Sequence, residues 1–184
     1  ELGEAEEKIR KGIAVWIREG SVAKDLNALM PLLDAYRSAF VGFCTDDRNP
    51  LDISTEGHID FLLRECLKHG VAAETVYRAS SWSVARHYGL DRISKIRPYR
   101  IGAVAPGFLA DLVILEDRAT CSIESVLKSG KFVSELEFDP ALAKTVAFKN
   151  SIRAKIPTEA DLEGPKGSVH VIKVIPGKII TDRL

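Results

Sequence analysis

The sequence is poor in sulfur, has no net charge and contains no long apolar run, and each of these absences excludes a class of protein. Lys and Arg together number 26, as do Asp and Glu, so the overall charge provides no attraction to nucleic acid or to an anionic membrane. No apolar run approaches the roughly 18 residues that a membrane span needs. The opening stretch "ELGEAEEKIRKG" is charged and does not resemble a signal peptide. We therefore expect neither a nucleic-acid nor a membrane partner.

Cysteine is scarce as well, with three residues that are odd in number and widely spaced: Cys44, Cys66 and Cys121. This usage favours a reducing compartment, the cytoplasm, over a disulfide framework. No two of them have the spacing of a zinc knuckle. The chain also begins with Glu inside a predicted helix and ends at "IITDRL", so we expect it to be an excerpt from a longer protein.

The first 90 residues alternate short apolar runs with amphipathic stretches, a pattern typical of a parallel sheet or a β/α barrel. The runs "IAVWI" (13–17) and "AFVGF" (39–43) predict two buried strands. A loop rich in Asp, Asn, Pro, Ser and Gly is expected from 44 to 57. Helices are predicted at 3–11, at about 22–39 with a kink or break at Pro31, at 58–69 and at 72–88.

After about residue 90 the pattern indicates antiparallel strands. The stretch "DLVIL" (111–115) predicts one strand, and "SIESVLKSGKFV" (122–133) predicts two strands joined by a turn at Ser129-Gly130. Alternation in "VHVIKVIPGKIIT" (169–181) predicts a further pair with a turn at Pro176-Gly177. The stretch 134–168 is mixed, with a loop expected at "EGPKGS" (163–168). We place an organisational boundary near 90–100.

Polar side chains follow both predicted strands, namely Arg18, Glu19 and Ser21 after the first and Thr45, Asp46, Asp47 and Arg48 after the second. In a β/α barrel the carboxyl ends of the strands line the active site. An Asp there can ligate a metal, or can transfer a proton from water to a leaving group. An ordinary interpretation stays open beside this one: "REGS" as a salt bridge with an N-cap, and "DDRNP" as a polar turn.

The four histidines have neither His-x-His nor HExxH spacing. His69 and His87 lie near the ends of predicted helices, where a cation is favourable without any function. His58, in the loop after the two acids, is the one nearest the candidate site. A structural or capping role is favoured for it.

Five stretches, in chain order, resemble the adenine deaminase branch of the amidohydrolase superfamily: "REGSVAKDLNAL", "FCTDDRNPLDISTEGHID", "GVAAETVYRASSWSVARHYGL", "IGAVAPGFLADLVIL" and "VIKVIPGKIIT". The resemblance covers nearly the whole chain and is weakest at about 134–165. The fourth stretch alone would mark only the superfamily. The combination of "REGS" with "CTDDR" and "EGHID" is much more specific to the branch.

This resemblance implies the hydrolytic deamination of adenine to hypoxanthine and ammonia. It implies a divalent metal, namely manganese, iron or zinc, which lowers the pKa of a water molecule. Asp46 matches the position of the Asp that ligates the metal and shuttles the proton to the departing nitrogen. Arg18, Glu19 and Asp47 match positions that contact the purine base or orient ligands. A sister amidohydrolase acting on another cyclic amide or amidine, and a non-catalytic module or split subunit, are the alternatives.

The resemblance also implies that much of the catalytic fold lies elsewhere, because the His-x-His metal motif and the ligands of the middle strands are absent from the sequence. The expected fold class is α/β plus β. Residues 1–95 would form the last two βα units of a (β/α)8 barrel, 96–135 a β-sandwich return segment, and 136–184 the start of a C-terminal region. Such a chain is expected to be inactive alone, and to bind copies of itself or the missing barrel portion.

Overall fold

The computed structural model describes residues 1–137, 150–164, 167–178 and 180–184. Six α-helices lie within these ranges, at Leu2–Arg10 (α1), Leu26–Leu29 (α2), Pro50–Thr55 (α3), Ile59–Lys68 (α4), Ala73–Ser80 (α5) and Trp82–His87 (α6). Short 3-10 helices lie at Met30–Leu32, Arg37–Phe40, Val133–Glu135 and Glu159–Leu162. No helix in these ranges is both long enough and apolar enough to cross a membrane. Within the predicted C-terminal region, 136–184, residues 138–149, 165–166 and 179 lie outside the described residues, and so do the predictions made for them.

In the described part of the chain the strands form three small sheets, with β1 at Val15–Arg18, β2 at Val41–Cys44, β3 at Leu112–Asp117, β4 at Ser122–Lys128, β5 at Lys131–Phe132, β6 at Ile172–Val174 and β7 at Thr181–Arg183. β1 and β2 pair in parallel, whereas β3–β4–β5 and β6–β7 are antiparallel. The parallel pair followed by antiparallel strands agrees with the predicted change of pattern after residue 90. The coarse fold class, α/β followed by β, is confirmed.

The parallel pair lies in the core of the first part of the chain. Ile17 of β1 and Val41 of β2 are fully buried, and both pack in one apolar cluster with residues of α1, α4 and α5. β1 is less enclosed than predicted, since Val15 and Trp16 are only half-buried. Trp16 lies so close to Gly42 that any Cβ at position 42 would meet its indole ring.

The predicted extent of a helix over 22–39 is wrong, but the break expected at Pro31 is present. Only α2 and two 3-10 helices form there, because Pro31 has no N–H to donate and its ring prevents a regular helix from continuing through it. The Asp34 carboxylate then accepts the backbone N–H groups of Tyr36 and Arg37, which begins a new turn. The predicted Ser21 N-cap does not form either, since the residue before α2 is Asp25.

Two further boundaries differ from the prediction. The helix predicted at 72–88 is split at Ser81, where the hydroxyls of Ser80 and Ser81 bind the carbonyl of Tyr77 and compete with the helical hydrogen bonds. The stretch predicted as a loop contains α3, whose N-cap Asn49 accepts the Asp52 N–H and whose first residue is proline.

The antiparallel sheet and the helices share one core. The turn between β3 and β4 packs on α5, because Cys121 is buried in the main apolar cluster and the Tyr77 hydroxyl donates to the Arg118 carbonyl at 2.8 Å. The turn between β4 and β5 has positive φ at both Ser129 and Gly130. This is the geometry expected of a tight two-residue hairpin turn, and it confirms that prediction.

The last hairpin reaches back to the first strand. Gly177, in the turn after β6, accepts the backbone N–H of Lys24 at 3.2 Å. Lys178 Nζ lies 3.9 Å from an Asp25 carboxylate oxygen. The loop that leaves β1 is therefore held on one side by a turn from the far end of the chain.

Candidate functional site

The carboxyl ends of β1 and β2 lie side by side. Their last pair in register is Arg18 with Cys44, and the Glu19 N–H continues the ladder by donating to the Cys44 carbonyl at 3.0 Å. The polar residues that follow each strand therefore emerge at the same edge of the sheet, as the parallel arrangement requires.

Asp46 is exposed at this edge and is paired with Arg18. Arg18 Nη1 donates to Asp46 Oδ2 at 2.5 Å, and the side chains are 19% and 54% exposed. Asp46 has φ of 47°, the left-handed conformation that Asp tolerates better than most residues but that still carries strain. An exposed ion pair is worth only about 0–1 kcal/mol, so the arrangement presents a carboxylate to solvent and adds little to stability.

Glu19 points into the fold. It is 8% exposed, and its Oε2 accepts the backbone N–H of Leu26 at 3.0 Å, at the start of α2. Burial raises the pKa of this carboxyl, and the Leu26 N–H and the nearby charges of Lys24 and Arg48 offset the rise only in part. Raised carboxyl pKa values cluster at functional sites, although buried structural acids show them too.

Asp47 binds the loop that follows β1. Its Oδ2 accepts the Val22 N–H at 3.2 Å. Its carboxyl group also lies directly against Gly20, where an added Cβ would come 2.8 Å from Cγ of Asp47 and closer still to Oδ1. A glycine at position 20 is therefore what allows this carboxylate to lie over the loop.

A second set of contacts joins the two strand-end loops. Ser21 donates to an Asp52 carboxylate oxygen at 2.5 Å and accepts the Asn49 backbone N–H at 2.9 Å. The Asn49 side chain donates to both Ser21 Oγ and Asp52. The sequence interpretation missed Asn49 and Asp52, although the Asn-Pro helix start could have placed both next to the site.

Arg48 and His58 connect the end of β2 to the loop before α4. Arg48 donates through Nε to the Gly57 carbonyl at 2.7 Å and through Nη2 to the Glu56 carboxylate. His58 Nε2 lies 2.8 Å from the Thr45 hydroxyl oxygen. His58 therefore contacts Thr45, the residue that precedes Asp46 in the chain. The sequence indicated this proximity only through the position of His58 in the loop after the two acids.

These contacts divide the predicted site residues. Arg18 and Asp46 are brought together and face solvent, whereas the carboxylates of Glu19 and Asp47 bind backbone N–H groups of the first loop. Across the ranges that the structure describes, no three His, Cys, Asp or Glu side chains converge as ligands for a metal ion. Asp46 and Asp47 are both exposed. Asp47 is engaged with the first loop, whereas Asp46 is paired with the Arg18 side chain at the strand edge.

The family model described as "Amidohydrolase family" matches residues 5–133, which include both parallel strands and the whole β3–β4 hairpin. The chain belongs to the amidohydrolase family. Its relatives include the adenine deaminases of Brucella suis biovar 1 (strain 1330) and Gluconobacter oxydans (strain 621H), each 44% identical over 98% of this chain. The adenine deaminase of Bdellovibrio bacteriovorus is 42% identical over the full chain. The predicted resemblance is confirmed.

The chain spans about 30% of the length of these relatives, namely 30% of the Brucella suis protein and 31% of the other two. The match is therefore to a segment of a longer amidohydrolase, as the sequence analysis predicted.

Proposed function

We propose that this chain is the segment of an adenine deaminase that contributes the proton-transferring carboxylate, Asp46, to the active site. The observation that carries the proposal is the position of Asp46, which is exposed, in a left-handed conformation and paired with Arg18 at the carboxyl end of a parallel strand. Strain at an exposed polar residue is typical of functional positions. The 42–45% identity to adenine deaminases supports adenine as the substrate.

In this proposal β1 and β2 are the last two strands of a (β/α)8 barrel, within residues 1–95. Residues 96–135 belong to a β-sandwich, and 136–184 begin a further C-terminal region. The parallel register of β1 and β2 and the antiparallel order of β3–β4–β5 support this division. Each strand of the parallel pair has one neighbour within the described residues, which leaves an edge for the rest of the barrel or for a second copy of the chain.

The reaction adds water to the purine carbon that bears the amine and breaks the carbon–nitrogen bond, releasing ammonia. A divalent metal, manganese, iron or zinc, would lower the pKa of the attacking water when bound. Asp46 would supply one oxygen ligand for it, and since no three potential ligands converge within the described residues, other parts of the longer enzyme would supply the rest. The Asp46 carboxylate accepts the proton that the water loses and returns it to the departing nitrogen, since an amide anion cannot leave.

Arg18 holds the Asp46 carboxylate in place through its Nη1 donor. Glu19 and Asp47 fix the loop beside the substrate position, with Glu19 buried and Asp47 over Gly20. A cytoplasmic location belongs to the same proposal, and it is supported by the unpaired state of Cys44, Cys66 and Cys121.

The test is a chimera in which this chain replaces the matching segment of the Brucella suis adenine deaminase. We expect it to form hypoxanthine and ammonia from adenine, and Asp46→Asn to lower kcat at least about 100-fold. Asp111→Asn is the matched control, since Asp111 is also ion-paired at 2.5 Å, with Lys128, but directly precedes β3 of the antiparallel sheet. The chain alone should release no ammonia with manganese, iron or zinc. An active Asp46→Asn chimera would refute the role of Asp46, and turnover of another base in preference to adenine would refute the substrate.

A further inference from the structure

Arg48 connects the turn that carries Asp46 to the loop before α4. Its guanidinium donates to the Gly57 carbonyl and to Glu56, and its Cζ lies 4.4 Å from the ring centroid of Phe61. Because two donors of the guanidinium are hydrogen-bonded and one of its faces packs on Phe61, the planar group has little freedom to move. One side chain therefore fixes the distance between the end of β2 and residues 56–61.

Stability alone does not explain this arrangement. The Arg48 side chain is 1% exposed, and its Nη1 is buried without a hydrogen-bond partner among the described residues. A buried charge with an unpaired donor stabilises a fold less than an apolar side chain of similar volume often does. The Glu56 side chain is 43% exposed, so water can solvate its carboxylate without help from Arg48. Because burying Arg48 costs folding free energy, the geometry of its contacts is the better explanation for its presence here.

The geometry that Arg48 sets is that of the proton-transferring residue. The Arg48 N–H donates to the Thr45 carbonyl at 3.1 Å and closes a turn around Asp46. On the other side, Arg48 holds Gly57, and the next residue, His58, reaches the Thr45 hydroxyl at 2.8 Å. Thr45 is thus held at its carbonyl by the backbone of residue 48 and at its hydroxyl by His58, and the second contact depends on the Arg48 side chain.

We propose that Arg48 is a positioning residue that holds Thr45 and His58 together and so sets the orientation of Asp46. The proposal rests on the proposed function of Asp46 for its catalytic consequence, but its structural part is independent of any activity. Arg48 would act through Asp46 and His58 and would not contact the substrate.

The structural test uses the chain itself and compares Arg48→Met, Arg48→Lys and Arg64→Met. Arg64 is the matched control, because it also binds this loop, through the Glu56 carbonyl and Asp60, but does not contact the end of β2. NMR would follow the ring nitrogens of His58 and the backbone amides of Thr45 and Asp46. We expect Arg48→Met to remove the signature of the His58–Thr45 hydrogen bond and to shift both amides, and Arg48→Lys to restore part of it. Arg64→Met should keep that hydrogen bond and shift the signals less, since Arg64 reaches His58 only through Asp60.

Folding does not confound this test. After removal of Arg48, Glu56 remains 43% exposed to solvent and the buried Glu19 keeps its bond from the Leu26 N–H, so the Met variant should fold. Should it unfold nevertheless, Glu56→Gln weakens the same contact from the exposed side and is expected to give smaller shifts at the same three residues. A folded Arg48→Met or Glu56→Gln chain with unchanged His58 and Asp46 signals would overturn the proposal, as would equal changes in Arg64→Met.

The catalytic consequence is measured in the chimera with the Brucella suis relative. A misplacement of about 1 Å can cost about 100-fold in rate, so we expect Arg48→Met to lower kcat about 10- to 100-fold with little change in KM. Arg48→Lys should recover part of the loss. An inactive parent chimera with the expected NMR changes would refute the proposed deaminase function and leave the positioning role intact. An active chimera that is unaffected by Arg48→Met would refute the positioning role alone.

Discussion

Substituting Gly20 by alanine tests whether Asp47 lies over the first loop as the structure shows. A Cβ at this position would approach Cγ of Asp47 to 2.8 Å and the Thr45 carbonyl oxygen to 3.2 Å. The carboxylate must therefore swing away and give up its bond to the Val22 N–H. Loss of such a bond costs about 1–2 kcal/mol, so we expect Gly20→Ala to destabilise the chain by about that amount.

The same substitution should be nearly harmless once the carboxylate is gone. In an Asp47→Ala background only the approach to the Thr45 carbonyl remains, and the loss of chain entropy from the unfolded state favours alanine by about 0.4–1 kcal/mol. We therefore expect a coupling free energy of about 1 kcal/mol between the two sites. Gly164→Ala is the control, because Gly164 has open space around its Cα.

The assay is urea unfolding of the four chains of this double-mutant cycle, followed by the fluorescence of Trp16 on β1 and Trp82 on α6. Additive effects, within about 0.5 kcal/mol, would refute the reasoning. They would mean that Asp47 does not lie against Gly20, and its proposed part in fixing the loop would fail.

Two other predictions concern buried ionisable groups. Burial raises the pKa of Glu19, so the folded state binds its proton more readily than the unfolded state does, and the buried charge costs stability that is recovered as pH falls through the folded pKa. Glu19→Gln keeps an oxygen for the Leu26 N–H. In urea titrations it should be at least as stable as the parent at pH 8, and this advantage should shrink towards pH 5. A stability disadvantage of Glu19→Gln that grows with pH would contradict the prediction. Burial also raises the pKa of Cys66 to about 12, so iodoacetamide at pH 8 should label it only after unfolding in urea, as read by mass spectrometry. Labelling of the folded chain at the rate of the unfolded chain would contradict that prediction.

The strands could be predicted from the sequence because their signals are local. The runs that became β1 and β2 are short, apolar and preceded or followed by glycine or polar turns, and they form a parallel pair as the βα pattern implies. The Ser129-Gly130 turn was predictable for the same reason, since glycine suits positive φ and serine is common in turns. Errors of one or two residues at the strand ends arose where a neighbouring turn or 3-10 helix extended into the run.

Helix continuity was harder to predict, because apolar spacing persists through interruptions. Pro31 was recognised as a break, but the Asp34 carboxylate that begins a new turn was not. The serines at 80 and 81 divide a helix through hydrogen bonds to a single carbonyl. In both cases a side chain takes a hydrogen bond that the helix backbone would otherwise make. The spacing of apolar residues does not indicate such competition.

The site was only half predictable. The adjacency of Arg18 and Asp46 follows from the parallel pairing, because the carboxyl ends of neighbouring strands meet at one edge. The contacts of Ser21 with Asp52 and of Arg48 with Glu56 depend on how α3 folds back over that edge. That path is set by tertiary packing, so the residue types could be identified in advance but their partners could not.

The bond between Gly177 and the loop after β1 has a consequence for the order of folding. The loop directly follows β1, yet the acceptor of its Lys24 N–H is Gly177, which lies far along the chain, beyond all three β3–β5 strands. Contacts between residues so distant in sequence form late, because the intervening chain must first be ordered. The loop after β1 would therefore stay in a provisional form during folding until the β6–β7 hairpin docks on it.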